Sequence, residues 1–441
     1  MLNTLYRPLQ YLGAKTRSLD VITSECKKLY TRNSYVVDLF SGSSIVSQSF
    51  YNEGMQVIAN DVMHFCSDIS HCMLNISKTN QSKKWALEGL NSFKDFHLAP
   101  KFLDPFSGYI ERENSLLQSE DLNGLKDLYS QLPQVGKISS STDQIDYIRT
   151  HYNNNATNDV PLIANYYAGT YFGIKQAIRL DCLRTFIENF FNVHNNVWAY
   201  TAMLTSLYNT LSMIVHSAGK HFSQPIAIKN TNKNKITNKR LFENRNYDID
   251  KLFTYFLTLI ITHTENGSIQ SRCLSTCDNI QTKSFQQLLE SKKISVIYAD
   301  PPYTAQQYSR FYHIPEVIRT YRYPILQEYR GHITQGLYPI NKFKSDFCSK
   351  RKAVGAFETI FKIANNAKAN LLISYSESQN KETGNERMIS KSDIIRLADL
   401  FLPNYKVNIK EFLFDYRQLN SSDKIVTNKD DKEYLLIFKR R

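Results

Sequence analysis

The chain has 441 residues, 54 Lys+Arg against 41 Asp+Glu, and a formal net charge of +13. With 42% hydrophobic residues it holds enough apolar material for a buried core, which excludes wholesale disorder, and its length suggests two or three domains. Its longest apolar stretch, Leu252 to Ile261, is broken by threonines and falls short of the roughly 18 residues that span a bilayer. The N-terminus (MLNTLYRPLQYLGAKTR) lacks the charged-then-apolar layout of a signal peptide. A cytoplasmic chain without membrane association is therefore expected.

The first feature in chain order is Tyr11-Leu12-Gly13-Ala14-Lys15, whose lysine can pair with an anionic group. Ser34 to Phe40 (SYVVDLF) reads as a short β-rich run ending at the small-residue turn SGSS, with a helix over Ser44 to Asn52 and a strand over Met55 to Asp61. Strand, helix and strand fall within about thirty residues, the size of a βαβ unit. A small-residue turn lets a ligand approach the backbone and the helix N-terminus closely. Asp61, closing the second strand, stands where nucleoside-binding α/β folds place a carboxylate for ribose hydroxyls. His64 to Leu74 reads as an amphipathic helix with half-buried thiols. Its His64, Cys66, His71 and Cys72 lack the paired spacing of a structural zinc site, as do Cys273 and Cys277. Seven scattered cysteines fit reduced thiols better than a disulfide framework; no metal is expected.

After about Asn80 the pattern gives way to helical segments separated by polar stretches such as Ser139 to Asp159. Lys229 to Arg245 carries six basic residues and one acid, interleaved with asparagines; it reads as a loop, either solvated or facing a polyanion. The α/β rhythm resumes after about Ile269. Ile294 to Ala299 is a buried strand running into Asp300-Pro301-Pro302-Tyr303. Next come a helix over Phe357 to Ala367, a strand over Asn370 to Ser376, a helix around Ser392 to Phe401, and β-rich runs at Val407 to Tyr416 and Glu433 to Lys439. Lys342 to Lys352 is a second basic stretch, with five basic residues and one acid. The simplest organisation is one open α/β sheet from residues 1–80 and 270–441, interrupted by an insertion over 81–269.

The segment Asp300-Pro301-Pro302-Tyr303 carries the most specific chemistry. Two consecutive prolines fix φ and remove two N–H donors, leaving a stiff loop. An acid, a rigid acceptor carbonyl and an aromatic face suit the holding of a planar ring that bears an amino group: Asp300 and the Pro301 carbonyl accept its two N–H bonds, and Tyr303 stacks on the ring. The bland alternative is a strand-ending turn with a solvated aspartate.

The order YLGAK, DLFSGSS, ND, a long gap, then DPPY resembles the Dam-like (class α) DNA adenine N6-methyltransferases, convincingly over residues 6–75 and 270–440. In the middle only Asn165 to Gly173 and Lys220 to Pro225 look similar. The resemblance implies a Rossmann-like, S-adenosylmethionine-dependent methyltransferase fold with an inserted, mainly helical target-recognition domain. It implies that Lys15, with Tyr11 and Gly13, holds the methionine carboxylate of S-adenosylmethionine, that Asp38, Phe40 and Gly42 cradle its methionine moiety, and that Asp61 bonds the ribose. Asp278 and Asn279 would meet the cofactor's adenine amine, and Asp300, Pro301, Pro302 and Tyr303 form the catalytic tetrad. Members of the family it resembles usually carry Gly where this chain has Ser44; since serine can begin a helix, altered cofactor affinity at most is expected. The implied partners are duplex DNA, with the target base flipped out, and a cognate restriction endonuclease, in a bacterial or archaeal cell; a monomer or weak dimer is expected. Lys229, Lys233, Lys235, Lys239, Arg240 and Arg310 are the expected DNA contacts. Gln306, Gln307 and His313 either join them or pack on the sheet rim. RNA adenine or DNA cytosine N4 methylation remains as an alternative activity, and a catalytically idle DNA-binding module as a non-enzymatic one.

Overall fold

Val36 and Val37 are both fully buried, yet they belong to cores on opposite faces of one sheet, because successive strand side chains alternate. Ile297 and Val296 divide in the same way. A strand apolar on both faces needs cover on both, and the helices supply it. The computed structural model describes residues 5–75, 80–97, 100–132, 135, 161–228, 235–265, 272–377, 386–413, 416–419, 425–428 and 432–441.

The strands are β1 (Tyr35–Asp38), β2 (Gln56–Asp61), β3 (Leu274–Cys277), β4 (Ile294–Ala299), β5 (Glu328–Tyr329), β6 (His332–Ile333), β7 (Asn370–Glu377), β8 (Tyr405–Leu413), β9 (Tyr416–Leu419), β10 (Ile425–Asn428) and β11 (Lys432–Arg440). Seven of them form one sheet in the order β3-β2-β1-β4-β7-β11-β8. The pairs from β3 across to β7 are parallel, and β11 runs antiparallel to both neighbours. This is the Rossmann-like α/β sheet expected from the sequence. β5 and β6 make a separate hairpin, as do β9 and β10. Helices Leu19–Leu29 and Ile45–Asn52 contribute to the core on one face. Lys283–Glu290, Lys350–Asn366 and Lys391–Phe401 contribute to that on the other.

A third core is helical. It joins His64–Leu74, Leu162–Tyr167, Ile174–His194, Val197–Ile214 and Ile249–Glu265 to residues 312–326. The middle of the chain therefore packs without a break onto the helix that follows β2. Val197–Ile214 buries 16 of its 18 residues, as a helix apolar all round must. Trp198 donates its indole N–H to the Cys72 carbonyl at 3.0 Å. Asp68 on His64–Leu74 accepts from Tyr208 at 2.8 Å and from Arg319 at 2.6 Å.

Two expectations are corrected. Lys235–Arg245 is a helix, not a loop: Lys239, Arg240, Leu241, Glu243 and Arg245 are good helix formers, and Arg245 turns inward, 5% exposed, to the carbonyls of Tyr171 and Thr170. The helix expected from Phe357 begins at Lys350, since Lys350, Arg351, Lys352 and Ala353 are good helix formers and Ala353 and Ala356 are buried. Among the described residues no helix is long and apolar enough to cross a membrane.

Candidate active site

Because β3, β2, β1 and β4 are parallel, their carboxyl ends share one edge of the sheet, where open α/β sheets bind ligands. The order reverses between β1 and β4, and a cleft opens there. Its lining includes Tyr11, Gly13, Lys15, Asp38, Phe40, Gly42, Asp61, Asp278, Asn279, Asp300 and Pro302, residues drawn from five separate stretches of sequence. Its non-atom space, counted out through its open mouth into solvent, is about 1020 Å³.

The turn after β1 is held from beneath. Asp38, with no exposed surface, accepts the Ser47 hydroxyl at 2.6 Å and the Phe40 N–H at 3.4 Å; burial nevertheless pushes its carboxyl up to about 7. Asp61 accepts the N–H groups of Gly42 and Met63, each at 2.9 Å, and burial raises it to about 6. Asn60 ties the strand ends together: its amide donates to the carbonyls of Leu39 and Asp278, and its oxygen accepts from Thr276 and the Asp278 N–H. Gly42 has φ +49°, and a Cβ there would lie 2.7 Å from the Tyr11 ring. The glycine lets the first motif lie directly over the second.

Ser44 also has a left-handed backbone, φ +63°. It caps helix Ile45–Asn52 without a side-chain bond, and its buried hydroxyl finds no hydrogen-bond partner among the described residues. This is a backbone conformation that glycine adopts without strain, so serine occupies it at a cost.

Asp300 follows β4 and pairs with the Lys15 ammonium at 3.1 Å; the two side chains are 20% and 6% exposed. Burial pushes the Asp300 carboxyl up to about 6 while Lys15 pulls it down. Lys15 also donates to the Gly13 carbonyl at 3.2 Å and stands 5.8 Å from the centre of the Tyr303 ring. Tyr303 and Pro301 are not part of the cleft lining. Tyr303 packs edge-on to Tyr375, and the Arg387 guanidinium stands over its ring at 4.9 Å. The cleft therefore brings the strand-ending acids Asp38 and Asp61, with Asp278, together with the Asp300–Lys15 pair at the start of the Pro-Pro turn.

A family model for D12 class N6 adenine-specific DNA methyltransferases matches residues 11–370. The chain belongs to that family. Among curated proteins it is similar to the modification methylase StsI of Streptococcus sanguinis, 22% identical over 98% of this chain and 52% of that protein. It is also similar to the modification methylase LlaI of Lactococcus lactis subsp. lactis, 23% identical over 98% and 55%. The type II methyltransferase M.FokI of Planomicrobium okeanokoites is 24% identical over 83% and 44%. The chain spans about half the length of these relatives.

In this D12-class chain the stretch after Tyr303 closes the site. Tyr312 stacks on Tyr11, 4.7 Å between ring centres at 8°, and its hydroxyl accepts the Leu12 N–H at 2.6 Å. Tyr308 donates to the Leu12 carbonyl at 3.2 Å. Gln307 exchanges two bonds with the Ser345 backbone, at 3.2 and 2.7 Å, so it packs inside rather than facing outward. His313 is buried, 2% exposed, and burial lowers it to about 3, a packed ring rather than a proton carrier. Gln306 and Arg310 are exposed.

Sequence reasoning missed the residues that Gln307 holds: Phe343, Ser345, Asp346 and Phe347 all line the cleft, and Phe347 meets Phe40 edge-on at 5.3 Å. The signal was two phenylalanines inside a stretch read only for its lysines. Several of those lysines are engaged locally: Lys350 pairs with Glu386 and Lys352 with Asp346. Of the other expected DNA contacts, Lys229 and Lys233 lie outside the described residues, as does the side chain of Lys235. Lys239 is 80% exposed, 3.9 Å from Glu243, and Arg240 is exposed. Among the described residues no cluster of His, Cys, Asp and Glu is arranged to hold a metal. Cys66 and Cys72 are fully buried.

Proposed function

We propose that this chain transfers a methyl group from S-adenosylmethionine to the N6 amine of an adenine flipped out of duplex DNA, as the modification partner of a restriction endonuclease. The observation that carries the reading is the convergence of Lys15, Asp61 and Asp300 on one cleft in a chain of this family. The donor set fits the cofactor: a buried ammonium for its carboxylate, an acid at the ribose position, Asp278 and Asn279 for its adenine edge, and a glycine turn at Gly42 that leaves the backbone bare. When bound, S-adenosylmethionine supplies an electrophilic methyl group.

The protein's part is orientation. Asp300 and the Pro301 carbonyl accept the two N–H bonds of the target amine, which raises electron density on nitrogen without full deprotonation. Tyr303 replaces the stacking the base loses on leaving the helix, a few kcal/mol. Lys15 keeps Asp300 ionised in a buried site. Fixing the amine in one orientation supplies most of the acceleration. The names of the relatives, modification methylases, support the role in restriction and modification. Asp300→Ala is expected to abolish tritium transfer from labelled cofactor to unmethylated duplex DNA while leaving DNA binding within a few-fold. Normal turnover in that variant would sink the assignment, and transfer to RNA but not duplex would favour the RNA alternative.

A further inference from the structure

The hairpin β5–β6 turns through Arg330 and Gly331, whose φ values are +52° and +75°. Two central residues with positive φ define the type I′ turn that suits tight hairpins, where Asn-Gly is the favoured pair. Arginine is a poor choice for that backbone; a left-handed conformation costs an L-residue roughly 1–2 kcal/mol. Its side chain, not its backbone, must then account for it. Beside it Tyr329 is 64% exposed, and the Arg330 guanidinium lies over its ring at 5.3 Å. The tip of the two-stranded ribbon therefore presents an aromatic face and a guanidinium together, with no ion pair to Arg330 among the described residues.

The ribbon is also well held. Gln327 N–H bonds the Tyr338 carbonyl at 2.7 Å and Ile340 N–H the Ile325 carbonyl at 2.9 Å. Tyr171 donates to the Gly336 carbonyl at 3.0 Å. Just beyond Ile340 the chain lines the cleft with Phe343 and Ser345, so tip and cleft belong to one continuous stretch. Between Tyr321 and Ser345 four basic residues (Arg322, Arg330, Lys342 and Lys344) face one acid, Glu328. Lys344 and Arg310 each lie near Lys342, and burial first, then these two cations, lower its ammonium.

We propose that this ribbon enters a groove of duplex DNA, with Tyr329 and Arg330 reaching the bases at its tip and Arg310, Lys342 and Lys344 meeting phosphates at its base. The inference rests on the methyltransferase reading. The DNA major groove admits a two-stranded ribbon, and arginine pairs bidentately with guanine there; phosphate contacts fix position but carry no sequence.

The test uses the full chain and two short duplexes: one containing the site that the wild type methylates, mapped in a methylation-free host, and one with that site scrambled. Arg330→Asn suits the turn backbone, so folding is preserved, and cofactor affinity by calorimetry should be unchanged. Its preference for the site duplex should fall roughly 10- to 100-fold with the salt slope intact, whereas Lys344→Ala should weaken both duplexes alike and reduce the slope by about one. An unchanged preference in the Tyr329→Ala/Arg330→Asn double variant overturns the proposal while leaving the methyltransferase reading in place. A wild type that transfers no methyl group to duplex DNA overturns both.

Discussion

Replacing Lys15 by glutamine should move the acid limb of the turnover rate to higher pH. Lys15 and Asp300 are 3.1 Å apart, with the carboxylate 20% exposed. At an effective dielectric of about 20, attraction at that distance is on the order of 5 kcal/mol before solvent screening. Partial exposure and relaxation reduce this to the range seen for carboxylates beside a cation, roughly one to three pH units. Burial already pushes Asp300 up to about 6 with Lys15 in place. The sign follows from the chemistry: only the ionised carboxylate accepts from the target amine without giving up an oxygen to its own proton, so activity falls as pH drops through the Asp300 value. The wild type should thus lose activity below about pH 6, and Lys15→Gln below about pH 7 to 9. The assay is tritium transfer to duplex DNA over a pH series at saturating cofactor. Saturation removes any contribution of Lys15 to cofactor binding, which acts on KM rather than on the limb of kcat. An acid limb that stays near pH 6 in the variant would refute the coupling of Lys15 to Asp300.

Two further predictions concern the turn after β1. Ser44→Gly should raise stability by about 1 kcal/mol, because glycine relieves the left-handed strain at φ +63° and removes a buried hydroxyl without a partner; a melting curve should rise by roughly 1–2 °C, and a fall would mean that the hydroxyl is satisfied. Gly42→Ala should lower the melting temperature, since it adds left-handed strain of about 1–2 kcal/mol and a Cβ at 2.7 Å from Tyr11, a ring that Tyr312 holds by stacking; it should also weaken cofactor binding by calorimetry, and unchanged affinity would place the cofactor away from this turn.

The sheet was legible where burial is two-sided and short-ranged. β1, β2, β4 and β7 fall within two residues of their expected bounds, because runs such as SYVVDLF and ISVIYA have one favourable way to bury both faces. Helix His64–Leu74 fell where its apolar spacing put it. The cleft was legible in its motifs, since each acid closes a strand and parallel strands bring their ends together. Partners supplied by tertiary packing were not. Nothing near Lys15 in sequence names Asp300 as its counterion, and nothing near Gln307 names Ser345. Arg387 over Tyr303 and Phe347 against Phe40 are likewise contacts between stretches that no local pattern relates. Lys235–Arg245 failed for a different reason: composition says only that a charged segment prefers solvent, and an exposed helix satisfies that as well as a loop does.

The helical core bears on how the middle of the chain is coupled to the cleft. An insertion tethered only by its two chain crossings would be free to swing against the sheet. Here Asp68, one turn into the helix that follows Asp61, accepts from Tyr208 of the central buried helix and from Arg319 beyond the Pro-Pro turn. Trp198 and Cys72 add a second bond between the same helices. Breaking a buried, hydrogen-bonded ion pair such as Asp68–Arg319 by removing one partner costs about 3–5 kcal/mol, so these elements move together or not at all. The same helix carries His64, whose Nδ1 pairs with Glu316 at 2.5 Å and so ties that helix to the segment after Tyr303. On the proposed reading, strain exerted by bound DNA on the middle of the chain would reach the helix after Asp61 and the segment of Glu316 and Arg319 through packed side chains rather than through a hinge.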